Sequence, residues 1–187
     1  MAKTLMDLVA GRKSVRKYLD KPLKKKEVES CIESARRAPS AHNIQPWRFV
    51  VFDDPETKKA FCAQACGGIY RNTRFIENAP VVVAILAKLD LAANRIARLV
   101  QGTQYYLLDV GIAGEHLVLR AQELGIGTCW IGWFNARRAK KFLRLPRSYR
   151  VVSLVAMGYP AEGATREKAD LRMKDILSYN RWPAKRD

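Results

Sequence analysis

The stretch Ala38-Pro39-Ser40-Ala41-His42-Asn43-Ile44-Gln45-Pro46-Trp47-Arg48-Phe49-Val50-Val51 carries a polar, proline-broken loop into an apolar strand. Pro39 and Pro46 stiffen the loop near its two ends, because a pyrrolidine ring locks φ. Between them Ser40, Asn43 and Gln45 place hydrogen-bonding side chains at irregular spacing, which suits presentation of several polar groups in one direction. A planar ligand with polar edges fits such a loop. A plain lead-in to a strand fits it as well, and this stretch alone leaves both readings open. From Trp47 to Asp53 the residues predict a strand.

On the N-terminal side, Val28, Ile32 and Ala35 recur at helical spacing with Cys31 beside them, so residues 24–37 read as a helix after the turn Asp20-Lys21-Pro22-Leu23. Residues 4–12 read as a short amphipathic helix with Leu5, Leu8 and Val9 on one side and Gly11 near its end. The linking segment is Arg12-Lys13-Ser14-Val15-Arg16-Lys17-Tyr18. In extended conformation Arg12, Ser14 and Arg16 share a face, since side chains alternate along a strand. Two guanidiniums around a hydroxyl suit a phosphate through charge-assisted bidentate hydrogen bonds, and equally they are one more patch in a basic protein.

On the C-terminal side a helix over 55–66 starts at Pro55 and closes at Gly67-Gly68. Residues 79–86 are apolar on both faces, as in a central strand. The longest helical region is 91–124. Gly102, Gly111 and Gly114 lie inside it, each costing roughly 1 kcal/mol of propensity relative to Ala, which marks places of close approach. A glycine-punctuated strand over 124–133, a basic helix over 138–143 and a strand over 150–157 follow. Residues 161–187 are polar, with one helical turn near 173–177, and hold too few apolar side chains to fold without docking on something. About four strands interleaved with helices give an α/β or α+β sandwich.

The chain of 187 residues has room for one generous domain, covering 1–187. No apolar run approaches the roughly 18 residues of a membrane span, and the N-terminus lacks an apolar leader, so the expected location is the cytoplasm. Cys31, Cys62, Cys66 and Cys129 form no C-x-x-C pair, and His42 and His116 are the only histidines. Buried thiols are expected, and no metal site. The formal charge of +16 attracts anions, which keeps nucleic acid, phosphate cofactors and acidic proteins in play. Gly125-x-Gly127 lacks the third glycine of a dinucleotide fingerprint and precedes a strand; there is no P-loop and no nucleophile elbow.

Four segments together resemble the nitroreductase family of flavin enzymes, over about Leu8 to Trp182. They are Arg12-x-Ser14-x-Arg16-x-Tyr18, the opening stretch from Ala38 to Trp47, Gly125-Ile126-Gly127-Thr128-Cys129-Trp130-Ile131-Gly132, and Met157-Gly158-Tyr159-Pro160 with Tyr179-Asn180-Arg181-Trp182. The resemblance implies an α+β fold, with a central, mainly antiparallel sheet of four to five strands flanked by helices in an intertwined homodimer. It implies FMN bound non-covalently at the dimer interface. Arg12, Lys13, Ser14 and Arg16 would lie at the FMN phosphate and ring edge, and Pro39, Ser40, Ala41, Asn43 and Gln45 along the ring and ribityl chain, with that loop supplied across the dimer.

By the same resemblance Trp130, Ile131 and Gly132 would sit at the ring, the Ile131 N–H near flavin N5. The long helix would form the dimer core, and the tail from Ala161 would wrap the partner. A basic pair that many members carry before Tyr-Asn-Arg-Trp is replaced here by Asp170-Leu171. Lys168 or Arg172 would stand in, with Arg172 favoured. Gln45 could equally anchor the loop, His42 face substrate or solvent, and Asn72 or Arg74 reach the pyrimidine edge. Cys129 reads as packing. The implied activity is NADH- or NADPH-dependent reduction of a nitroaromatic, quinone or related small electrophile, with no protein acid or base required. Reduction by an acidic protein such as ferredoxin, and a basic nucleic-acid-binding module, stand as the alternatives.

Overall fold

The computed structural model of the chain describes residues 3–89, 103–165 and 169–181. The 91–102 part of the helical region expected over 91–124, with Gly102, and Lys168 and Trp182, lie outside those residues. In chain order the elements are α1 (Leu5–Gly11), α2 (Lys25–Arg36), β1 (Trp47–Phe52), α3 (Pro55–Ala65), β2 (Val81–Lys88), α4 (Tyr105–Glu123), β3 (Gly127–Ile131), α5 (Ala136–Phe142), β4 (Tyr149–Gly158) and α6 (Met173–Ile176). Two 3-10 segments, Ala41–Asn43 and Gly68–Asn78, interrupt the loops.

The four strands form one sheet in the order β1-β2-β4-β3, each neighbouring pair antiparallel, as expected. β2 is central, and Val81 to Ala87 are all buried. Its alternate residues serve two cores. Val81, Val83, Ile85 and Ala87 pack with Val28, Cys31 and Ala35 of α2 and with Val110, Ala113, Leu117 and Val118 of α4. Val82, Ala84 and Leu86 pack on the other side with Phe61, Cys62 and Ala65 of α3 and Ala139 of α5. The result is a sheet between two helical layers, with Phe52 stacked on Phe61 at 4.1 Å in the second layer.

Local chemistry fixes the helix ends. Thr4 and Asp7 make a reciprocal capping box at α1, and Asp54 caps α3 ahead of Pro55. Gly125 ends α4 at φ 75°. Its N–H bonds to Gln122 O and the Ile126 N–H to Ala121 O, the paired bonds of a Schellman turn. That turn delivers the chain into β3 one layer below.

Three segments show what the sequence left open. The apolar side of α1 is not buried within the chain: Leu5, Met6 and Val9 stay 66, 69 and 47% exposed. One face of α4 is open as well, with Leu107, Leu108 and Ile112 exposed around Gly111, where an added Cβ would meet nothing within 4 Å. Gly114 behaves differently, because a Cβ there would fall 2.6 Å from Cζ2 of Trp130; helix and strand touch at that glycine. Gly68–Asn78 folds as 3-10 turns with only Ile76 buried.

Candidate functional site

Residues 12–19 run in extended conformation along the outer edge of β3. Ser14 pairs in parallel with Thr128, the Val15 N–H donates to Thr128 O at 2.9 Å, and the Leu19 N–H donates to Tyr159 O. The turn segment after β4 closes the other side, with the Arg16 N–H donating to Ala164 O and the Ala161 N–H to Lys17 O. Gly127 is required here, since a Cβ would lie 2.6 Å from Cγ2 of Val15. The alternation expected from sequence is realised. Val15 turns inward at 4% exposure, while the Ser14 hydroxyl reaches the Cys129 thiol by a hydrogen bond and Arg12 and Arg16 act on it through their charge. Burial pushes that thiol's pKa up, and Arg16, the Ser14 hydroxyl and Arg12 pull against the shift.

Among the described residues neither Arg12 nor Arg16 pairs with a carboxylate; Arg16 only reaches back to Ser14 O at 3.3 Å. Two guanidiniums and a hydroxyl held together without a counter-charge are a fitting cradle for a phosphate. Lys13 and Arg12 also line a cleft of about 760 Å³ between α1 and Ala169-Asp170. Arg172 is not brought to this cradle. Its guanidinium grips Asp175 through Nε at 2.7 Å and a second nitrogen at 3.2 Å, on the exposed tail.

At the far end of β3, Trp130 turns its ring into α4 at Gly114, so any part it takes in a ligand site is through its backbone. Ile131 is buried, and its carbonyl accepts from Ser153 Oγ at 3.0 Å. Gly132 is exposed, and an added Cβ would meet nothing within 4 Å, which leaves room for a ring to lie against the backbone. Beyond it Trp133 leans on Tyr70 at 5.1 Å, its Nε1 donating to Ile69 O.

The Ser40–Gln45 loop holds three of the five non-glycine residues at positive φ among the described residues. His42, Asn43 and Gln45 have φ of 49, 55 and 48°, a left-handed region that non-glycine residues occupy at a cost. Ser40 Oγ accepts from the Gln45 N–H at 2.9 Å, and Gln45 Nε2 donates to Asn43 Oδ1 at 2.8 Å. Ser40 and Gln45 thus anchor the loop, while Pro39, Asn43 and His42 stay exposed. The residue that sequence reading missed is Asp109. Only 5% exposed on α4, it accepts the Ala41 N–H at 3.0 Å and ties the loop to the helical layer. A lone aspartate inside an apolar helical stretch was its one signal. Arg74 is held by Glu77 at 2.8 Å, and Asn72 is exposed.

The two halves do not meet within one chain. The arginine cradle and Gly132 flank β3, one edge of the sheet, whereas the Ser40–Gln45 loop leads into β1, the other edge. Three strand spacings separate those edges, about 14 Å.

A family model described as the nitroreductase family matches residues 9–159, well over half of the chain. The chain belongs to the nitroreductase family. An NADH dehydrogenase of Thermus thermophilus is 31% identical to it over 177 residues, covering 81% of this chain and 84% of that protein. Among solved structures, a nitroreductase family protein of Streptococcus pneumoniae superposes with a TM-score of 0.79 at 27% identity, covering 94% of this chain and 99% of that one. An FMN-dependent nitroreductase of Clostridium difficile gives 0.76 at 25% identity, covering 95 and 99%. The chain shares their arrangement of helices around an antiparallel four-stranded sheet.

Proposed function

We propose that this nitroreductase passes electrons from NADH or NADPH, through non-covalently bound FMN, to a nitroaromatic, quinone or related small electrophile by ping-pong turnover. Membership of the family and the names of its relatives support the coarse part of that reading, an NAD(P)H-dependent oxidoreductase that uses FMN. The observation that carries the cofactor is the uncompensated pair Arg12 and Arg16 around Ser14, beside a glycine with open space in front of it. Those side chains, with Lys13, would hold the phosphate; Ile131 and Gly132 would present bare backbone to the ring. FMN would supply reversible two-electron chemistry. The protein's part is binding, orientation and exclusion of water, so no protein acid or base is assigned.

The separation of the two half-sites supports a homodimer in which each FMN takes its phosphate cradle from one subunit and the Pro39–Gln45 loop from the other. The surfaces that remain apolar on one chain fit that pairing: Leu107, Leu108 and Ile112 of α4, Leu5 and Met6 of α1, and Leu171, Met173 and Ile176 of the tail. Through this pairing the tail, Arg172 included, would wrap the second subunit. Among the described residues no helix is long and apolar enough to cross a membrane.

The test is a spectrum of the purified protein followed by anaerobic addition of each nucleotide. Flavin absorbance that bleaches with NADH or NADPH is the expected result. Arg12→Ala combined with Arg16→Ala should purify without flavin, and a double variant that keeps it would overturn the phosphate assignment.

A further inference from the structure

The stretch Ala136 to Arg150 holds seven Lys and Arg residues and no Asp or Glu. Six of them, Arg137, Arg138, Lys141, Arg144, Arg147 and Arg150, are exposed, and among the described residues none of the six forms an ion pair. The seventh is structural. Lys140 Nζ donates to Tyr149 O at 2.7 Å and Arg147 O at 3.3 Å, pinning the loop after α5 against the helix. The exposed cations are therefore carried on a fixed frame. Between α5 and α3 runs a groove of about 480 Å³ whose floor is Ala60, Ala63 and Phe142 and whose rim carries Arg138, Lys141 and Gln64.

The position of this surface matters. α3 and α5 cover one face of the sheet, and α4 with α2 covers the other. The open apolar face of α4 thus points away from the basic groove, which stays free when two chains pair through α4. α5 begins four residues after Gly132, and the Asn135 N–H donates to Ala65 O at 2.7 Å, so the groove is attached to the end of β3 where the ring is proposed to lie.

We infer that this groove docks an acidic electron-carrier protein that reduces the flavin in place of, or alongside, nicotinamide. The inference rests on the FMN reading above. Charge complementarity selects an acidic partner, since six unpaired cations raise the local concentration of polyanions and orient them. The apolar floor selects a protein over a nucleic acid: a partner side chain can fill it, whereas a phosphate backbone has nothing to put there. A single strand would also need exposed aromatic platforms. Phe142 instead packs edge-on to Phe61 at 5.5 Å, and Tyr149 is half-buried. Two docking events deliver two electrons, with protons drawn from solvent; each carrier is oxidised by one electron and the bound flavin is reduced by two.

The experiment uses the flavin-loaded protein and an oxidised plant-type [2Fe–2S] ferredoxin as probe, with titration calorimetry at about 20 mM and about 300 mM salt, where screening lengths differ several-fold. Binding at low salt that weakens at least about tenfold at high salt is expected, and at least about tenfold again in Arg138→Glu/Lys141→Glu at low salt. Reduced ferredoxin should bleach the flavin of the native protein faster than that of the variant, while bleaching by nicotinamide is the same in both. Absence of ferredoxin binding at low salt, or binding indifferent to the charge reversal, overturns the inference. So does tighter binding of a single-stranded oligonucleotide to the same surface, which would assign the groove to nucleic acid. Failure of nicotinamide to bleach the flavin bears on the proposed function alone, because binding is read without it.

Discussion

Replacing Asp109 by alanine isolates the tether that holds the Ser40–Gln45 loop. The loop carries three non-glycine residues at positive φ, each costing on the order of 1 kcal/mol or more. Against that strain stand the Ser40–Gln45 and Asn43–Gln45 hydrogen bonds, internal to the loop, and the Asp109–Ala41 bond to α4. A hydrogen bond to a charged group contributes about 1.5–3 kcal/mol. Its loss should lower the equilibrium constant for the observed conformation by roughly ten- to a hundredfold, and the apparent FMN affinity by up to that factor, because only the competent fraction binds. FMN fluorescence quenching gives the affinity, and hydrogen exchange at the Ala41 amide reports the loop directly. Asp109→Asn, which keeps an acceptor oxygen, should recover most of the loss. An Asp109→Ala protein that binds FMN within about twofold of the native affinity, with unchanged Ala41 exchange, would refute the assignment.

Further outcomes follow from packing and titration. Gly114→Ala drives a methyl into the Trp130 ring and should destabilise the fold by about 1–3 kcal/mol, read by urea unfolding together with a change in tryptophan emission. Glu27 is held below the usual carboxylate range by the Lys24 N–H and, after it, by the Tyr159 hydroxyl. Its contribution is complete above the unfolded carboxylate pKa and is lost as pH falls through the depressed folded value. Tyr159→Phe should therefore unfold more easily at neutral pH, by a margin that shrinks in acid; a margin constant with pH would exclude this linkage. Burial pushes Cys31 up to about 11 and Cys62 up to about 12, with Cys66 and Cys129 also raised. A disulfide reagent at pH 8 should find these thiols slow in the native protein and fast in denaturant, and a rapidly reacting native Cys129 would contradict its role as packing.

What was legible in the sequence was whatever has a period or a local steric cause. The unbroken apolar run at Val81, the three-four spacing of Val28, Ile32 and Ala35, and Pro55 at a helix start all reappear as β2, α2 and α3. The alternation of Arg12, Ser14 and Arg16 was readable because an extended segment has only two faces. Gly114 announced a close contact, although only the fold shows that Trp130 is what approaches. Asp109 could not be read, since its meaning depends on a backbone amide 68 residues away. Gly68–Asn78 places Ile69 and Ile76 at helical spacing, but that spacing does not tell a 3-10 path from an α path. Arg172 was expected at the phosphate by alignment of a motif, while in the chain a carboxylate three residues on takes it. Sequence spacing says which side chains share an element, and much less about which of them is already engaged.

The separation of the half-sites across the sheet has a thermodynamic consequence. When a ligand needs groups from both edges of the sheet, and the second edge must come from another copy, cofactor capture and subunit association become two readings of one equilibrium. On the proposed pairing FMN would act as an adhesive between subunits: dilution would release flavin, flavin scarcity would loosen the pair, and each factor of ten in cofactor above its dissociation constant would add about 1.4 kcal/mol of cohesion. On that reading a newly made chain, whose Arg12 and Arg16 meet no carboxylate among the described residues, would be a half-built receptor, completed by the same event that covers Leu107 and Leu108 of α4.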